Sequence, residues 1–344
     1  MSDSQIPIFP ETGPPVEDIP SDAGALWASV SGGRDSTAMV LHLADRGLPF
    51  RAVHMDTGWE HEATVAYVRG PLADLVKSVT GHELTIVGDE VVLTEAQEAA
   101  AQEVEEILGH RSAFVRRVLN KGIFPSRTVR FCTQKLKIFP ARDLCRAQTG
   151  PVCNVQGVRA AESVARSKYP VFEPNDGDSA VWRPLLRWSA ADVADIHRRH
   201  GVAWNPLYDM GAGRVGCWPC IFASREELRL IGQDDRRLRA IRALERHVAA
   251  FAVERHQAKG QQLKTMPALF MAYYRPDRTV RNGMWPIDMA VEWAAATTPA
   301  DLRAFASKHG LRAARPPAGE LFATNDEGCG RQSACEPPTT GGES

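Results

Sequence analysis

Apolar and polar positions along this chain repeat with two periods, and the periods alternate. Ala25-Leu26-Trp27-Ala28 is a short apolar run that reads as a buried strand, and Ala38 to Ala44 follows with helical spacing. That helix is predicted to run to about Arg46, with Gly47 as its C-cap. Phe50 to Met55 reads as a second strand, residues 62 to 78 as a helix through Val65, Val68, Leu72 and Leu75-Val76, and Glu83 to Val87 as a third strand. Residues 93 to 108 read as a helix rich in alanine and glutamate, Val152 to Gln156 as a strand, and Ala190 to His200 as a helix. From Ser224 to about Gly310 the pattern is helical, with Thr298-Pro299-Ala300-Asp301 as a helix start. Strands alternating with helices predict an α/β fold: a doubly wound, mostly parallel sheet covered on both faces, with a helical C-terminal extension. Ligands of such sheets bind beyond the carboxyl ends of the strands.

The pattern divides the chain into an arm (1–23), an α/β domain (24–222), a helical extension (223–312) and a tail (313–344). The arm carries five prolines among acids and small residues, which reads as a flexible or surface-draped segment; the tail, rich in Pro, Gly, Thr and Ser, reads as disordered. There is no internal repeat. With 344 residues, 44% hydrophobic and 24% charged, the composition is that of a soluble globular protein. No apolar run reaches the ~18 residues of a membrane span, and the acidic N-terminus does not read as a signal peptide. Seven unevenly spaced cysteines do not suggest a disulfide framework, so the expectation is a cytoplasmic protein with a metal or redox use for some of them.

The net charge of −1 hides an uneven distribution. Between Arg116 and Arg146 nine basic residues face one acid, Asp143. Such a run reads as a solvated helix face or as the contact for a polyanion. Six arginines between Arg229 and Arg246 give the extension a basic character. Trp285, Trp293, Tyr273 and Tyr274 read as core, although Phe270 to Arg281 interleaves aromatic and basic residues as nucleic-acid contacts do.

The chemistry gathers at Ser29-Val30-Ser31-Gly32-Gly33-Arg34-Asp35-Ser36-Thr37, between the first strand and the first helix. Glycines there permit a tight turn, and the turn's N–H groups with the helix dipole favour an anion. Arg34 adds a positive fork, Ser31 and Ser36 add hydroxyls, and Asp35 is a candidate cap. The loop lacks the Gly-Lys-Ser/Thr of a Walker P-loop. It resembles the pyrophosphate loop of the N-type ATP pyrophosphatases, the adenine nucleotide alpha-hydrolase-like superfamily. Asp56-Thr57-Gly58-x-Glu60 resembles the second motif of the phosphoadenylyl-sulfate (PAPS) reductase family, beside the nucleotide; read alone, it is a polar turn with Asp56 or Thr57 capping the next helix. Arg130-Phe131-Cys132, Gly157-x-Arg159-x-x-Glu162-Ser163 with Arg166, and Trp204-Asn205-Pro206-Leu207-Tyr208 leading to Gly216-Cys217-Trp218-Pro219-Cys220 resemble further motifs of that family, in its order. The resemblance covers about residues 25–222 and extends to the DNA phosphorothioation-type members. Gly211 to Gly216 matches GxGxxG but lacks the strand-to-helix context of a dinucleotide site, so it is set aside. His197 and His200 read as surface histidines rather than a metal pair.

Cys217-x-x-Cys220 is a tight pair, and Cys132 stands 85 positions before it. Adenylyl-sulfate reductases use two cysteine pairs to hold a 4Fe–4S cluster. The resemblance therefore implies a cluster on Cys132, Cys217 and Cys220, with an external fourth ligand, or Cys145 or Cys153. The alternatives are a reducible pair and a half zinc site. Cys145 and Cys153 otherwise read as buried small hydrophobes. Cys329, in Asp326-Glu327-Gly328-Cys329-Gly330, resembles imperfectly the mobile catalytic cysteine of sulfonucleotide reductases; Cys335 follows it in the tail.

Three functions follow as expectations. The first is an ATP pyrophosphatase that adenylates an acceptor in sulfur transfer, with Arg34, Asp35 and Asp56 catalytic and Mg²⁺ bridging the phosphates near Asp35 or Asp56. The second is a sulfonucleotide reductase using Cys329. The third is a non-catalytic nucleotide- or nucleic-acid-binding module. In all of them the nucleotide meets Ser31, Gly32, Gly33, Arg34, Asp35, Ser36, Asp56, Thr57, Gly58, Gly157, Arg159, Glu162 and Arg166. Expected partners are a nucleic acid or sulfur carrier and a second copy of the chain in a homodimer, with no membrane.

Overall fold

The computed structural model describes residues 24–126, 129–174, 179–262, 267–268, 270–271 and 284–310. The arm, Tyr273, Tyr274, and the tail with Cys329 and Cys335 lie outside the described residues. The N-terminal elements are β1 (Ala25–Val30), α1 (Arg34–Asp45), β2 (Phe50–Met55), α2 (Glu62–Tyr67), α3 (Ala73–Thr80), β3 (Thr85–Val87), α4 (Glu95–Leu108), α5 (Ala113–Lys121), α6 (Phe131–Thr133) and α7 (Phe139–Arg146). They are followed by β4 (Val152–Gln156), β5 (Phe172–Glu173), β6 (Ala180–Trp182), α8 (Ala190–His200), α9 (Arg225–Ile231) and α10 (Asp235–Gln257). The antiparallel pair β7 (Phe270–Met271) and β8 (Met284–Trp285) precedes α11 (Ile287–Ala295) and α12 (Pro299–Lys308).

Six strands form one sheet in the order β3-β2-β1-β4-β6-β5, parallel throughout except for β5 against β6. The expected doubly wound α/β sheet is present. The period of two along β1 sorts its side chains to opposite faces. Leu26, Ala28 and Val30 join α1, α3 and α8 on one face, while Trp27 packs with Val53, Val152 and Cys145 of α7 on the other. β1 pairs with β2 on one side and β4 on the other, so the chain reverses its winding at β1 and opens a crevice at its carboxyl end.

A separate core joins α4 and α5 to α9, α10 and α11, and Trp59 and Trp218 are buried within it. The helical extension thus docks on the helices that follow β3. Trp285 is buried and Trp293 packs beside it, as core residues.

Several boundaries differ from the sequence reading. The helix expected over 62–78 is interrupted by a π-helical turn, Val68–Leu72, that contains Pro71. Proline removes an N–H and crowds the preceding turn, and the wider turn accommodates it. The third strand is shortened to Thr85–Val87, and the following helix begins at Glu95 behind a Thr94–Gln97 capping box. The basic run is partly neutralised. Arg116 is buried between Glu98 and Glu105, with contacts of 2.8–2.9 Å that push its guanidinium pKa up, and Arg117 grips Asp89 at 2.8 Å. Arg236, Arg242 and Arg246 likewise pair with Glu62, Asp288 and Glu103.

Candidate nucleotide site and cysteine loop

The turn between β1 and α1 is closed by its own side chains. Ser36 Oγ accepts the Ser31 N–H at 3.2 Å and donates to the Gly33 carbonyl at 2.9 Å. Gly32 has φ +77°, and a Cβ there would meet Val68 Cγ2 at 2.7 Å, so both conformation and space require glycine. Gly33 occupies the N-cap without a side-chain cap. Asp35 therefore does not cap α1, contrary to expectation; it sits in the first turn and binds Arg159 Nε. Among the described residues the Asp35 and Ser36 N–H groups have no acceptor, which leaves the positive end of α1 open to an anion.

The loop after β4 lies over this turn. A Cβ on Gly157 would stand 2.8 Å from the Asp35 carbonyl oxygen and from Ser36 Cα. The close approach delivers Arg159 to Asp35. Glu162 accepts the Arg159 N–H at 2.7 Å and holds Arg166 Nη1 at 2.5 Å. Asp35 thus pairs with Arg159 and Glu162 with Arg166, and the Arg159 backbone N–H links the two ion pairs.

A segment that sequence reasoning left without a role clasps the glycine turn from the far end of the domain. Asn205 Nδ2 donates to the Gly32 carbonyl and to Thr64 Oγ1, both at 3.2 Å. Tyr208 Oη accepts the Arg34 N–H at 3.2 Å, and burial pushes its phenol pKa up. The Arg34 guanidinium lies 5.3 Å from the Trp204 ring centroid and 5.2 Å from that of Tyr208, a cation–π clamp. His197 is not on the surface: it is 3% exposed, with Nε2 2.9 Å from the Arg34 carbonyl and Nδ1 3.1 Å from that of Val202. His200 instead meets Asp45 at 2.8 Å. The only sequence signal for this clasp was the Asn205-Pro206-Leu207-Tyr208 motif, whose residues carry no obvious charge or nucleophile.

Asp56 ends β2 at the same edge. One oxygen accepts the Gly58 N–H and the other binds Arg69 Nη2, each at 2.8 Å. Thr57 Oγ1 donates to the buried Glu60 at 2.6 Å. The cap of α2 is His61, which accepts the Ala63 N–H, rather than Asp56 or Thr57. Asp35 and Asp56, the two carboxylates expected near Mg²⁺, are thus both engaged by guanidinium groups, and this pair does not fit an ion held by protein.

The Asp56 loop is stitched to the cysteine loop. Glu60 forms a β-bridge with Cys217, the Trp218 N–H donates to the Trp59 carbonyl at 2.7 Å, and Trp59 Nε1 donates to the Pro219 carbonyl at 3.1 Å. Cys132, Cys217 and Cys220 are free and half-buried, and Cys132 and Cys217 pack against the same core, the one that holds Trp59 and Trp218. Burial pushes the Cys217 thiol up to about 12 and raises that of Cys132. Cys145 and Cys153 are buried in the sheet's own cores and are not part of this group. Among the described residues no three such side chains surround a single metal ion, so a zinc-type site does not fit. A cluster takes one thiolate per iron and is anionic, and the chemistry of the donor set fits it at three corners: three free thiols, and a buried guanidinium atom, Arg237 Nη1, with no partner among the described residues.

A family model described as a phosphoadenosine phosphosulfate reductase domain matches residues 25–223. The chain is 36% identical over 227 residues to a 37.8 kDa protein of Escherichia phage 186, covering 58% of this chain and 68% of that one. It is 27% identical over 213 residues to an adenosine 5'-phosphosulfate reductase of Mesorhizobium japonicum, covering 60% and 72%. A solved phosphoadenylyl-sulfate reductase from Candida auris aligns at TM-score 0.38 and 19% identity over 56% of this chain and 81% of its own.

Proposed function

This chain belongs to the phosphoadenosine phosphosulfate reductase family, and on that premise we propose that it binds ATP on the glycine turn and cleaves it between the α and β phosphates to adenylate an acceptor in sulfur transfer. The observation that carries this reading is the physical continuity of the two loops. Asp56 follows β2, the parallel neighbour of β1 whose carboxyl end carries the glycine turn, and four residues later Glu60 is bridged to Cys217, which supports a phosphate site and thiols joined through one short segment. The open N–H groups of α1 and the guanidinium groups of Arg34, Arg159 and Arg166 supply the positive field that a pyrophosphate leaving group needs. The cysteine trio supplies sulfur ligands, and a 4Fe–4S cluster on Cys132, Cys217 and Cys220 is the cofactor proposed for it. The acceptor we propose is a nucleic acid or a sulfur-carrier protein.

A second reading, sulfonucleotide reduction, is favoured by the relatives named adenosine 5'-phosphosulfate reductases. It would make Cys329 the nucleophile. Binding of ATP with Mg²⁺, adenylyl sulfate and phosphoadenylyl sulfate to anaerobically purified protein separates the two. Tightest binding of ATP, with pyrophosphate released when DNA or tRNA is added, supports adenylation. Tightest binding of a sulfonucleotide, with turnover lost in Cys329→Ser, overturns it in favour of reduction.

A further inference from the structure

Arg237 is an unusual residue to find inside this protein. It lies on α10, beyond the segment that the family model matches, yet it is only 5% exposed. Its Nη2 donates to the Glu60 carbonyl at 2.9 Å, and its guanidinium carbon stands 4.8 Å from the Trp59 ring centroid. Its backbone N–H is tied to Asp234 at 2.9 Å. No carboxylate pairs with the guanidinium directly, and Nη1 is buried without a partner among the described residues. Burial draws the guanidinium pKa down to about 10, while the charges that favour it are Asp234, Glu60 and Cys217.

A buried cation with an unused donor is costly, and folded proteins satisfy such groups nearly always. The fold holds this one beside the cysteine loop: Arg237 grips Glu60, and Glu60 is bridged to Cys217. An anionic sulfur species carried there would accept the free N–H and balance the charge.

We propose that Arg237 is a positioning residue for the sulfur-bearing group of the cysteine loop, its Nη1 donating to an anionic sulfur held at or beside Cys217. The inference rests on the reading that Cys132, Cys217 and Cys220 carry a cluster. It assigns to the helical extension a direct electrical influence on that group.

The test uses the full chain, purified without oxygen and reconstituted with ferrous iron and sulfide, as wild type, Arg237→Gln and Arg237→Lys. Iron and sulfide content, the reduction potential by dye titration and the melting temperature are measured on each. Removal of the positive charge in Arg237→Gln should shift the reduction potential downward, because the reduced group carries one more negative charge. Arg237→Lys keeps the charge without the fork and should give a smaller downward shift. If Arg237→Gln does not fold, the lysine variant decides. A loaded variant with the wild-type potential overturns the role of Arg237 while leaving the cluster reading intact. A wild type that takes up neither iron nor sulfide overturns the cluster reading and this inference with it.

Discussion

At the scale of single residues, the site depends on atoms that touch other loops more than on exposed charges. Gly32→Ala places a side chain in the left-handed region and against Val68. The expected cost is about 1–2 kcal/mol in a thermal melt, with nucleotide binding lost in calorimetry. Tyr208→Phe removes the acceptor for the Arg34 N–H, and should cost about 1 kcal/mol of stability and weaken pyrophosphate binding measurably. His42 gives a pH dependence. Burial lowers its pKa from 6.5 to about 4, so the folded state keeps it neutral while the unfolded chain protonates. Its contribution is complete above pH 6.5, declines as the pH falls from 6.5 to 4, and changes no further below that. Chemical denaturation across this range should show the decline for the wild type and a shallower one for His42→Leu.

At the scale of elements, the strands and most helices were legible because their periods are strong and their caps explicit. The glycine turn and Asp56-Thr57-Gly58 could be placed at the sheet's carboxyl edge from the strands they follow. What the sequence could not show was pairing across distance. His197 read as exposed because His-x-x-His on a polar helix gives no sign of a carbonyl waiting on another element. The basic run read as one patch, yet Arg116 and Arg117 turn inward to acids on α4 and after β3. The α4–α5 pair is where this matters for stability. Arg116→Met combined with Glu98→Gln and Glu105→Gln should be tolerated better than Arg116→Ala with both glutamates intact, because the alanine alone leaves two carboxylates without their cation; the latter should show the lower urea midpoint.

At the scale of the whole molecule, the helical extension and the region matched by the family model share one core, in which Trp59 and Trp218 are buried beside α4, α5 and α10. A chain ending at residue 222 would expose that apolar surface. It should aggregate or melt without cooperativity, whereas the full chain should give a single calorimetric transition. No helix among the described residues is long and apolar enough to cross a membrane.

The clasp on the glycine turn also sets an order of assembly during synthesis. Gly32 and Arg34 leave the ribosome early, but Asn205 and Tyr208, which fix them, are made more than 170 positions later. At ~5–20 residues per second the turn waits roughly 10–35 s for its partners. Through that interval the nascent chain carries the complete glycine motif without the contacts that shape it, so the ability to hold a nucleotide should arrive with the end of the domain and not with the motif itself.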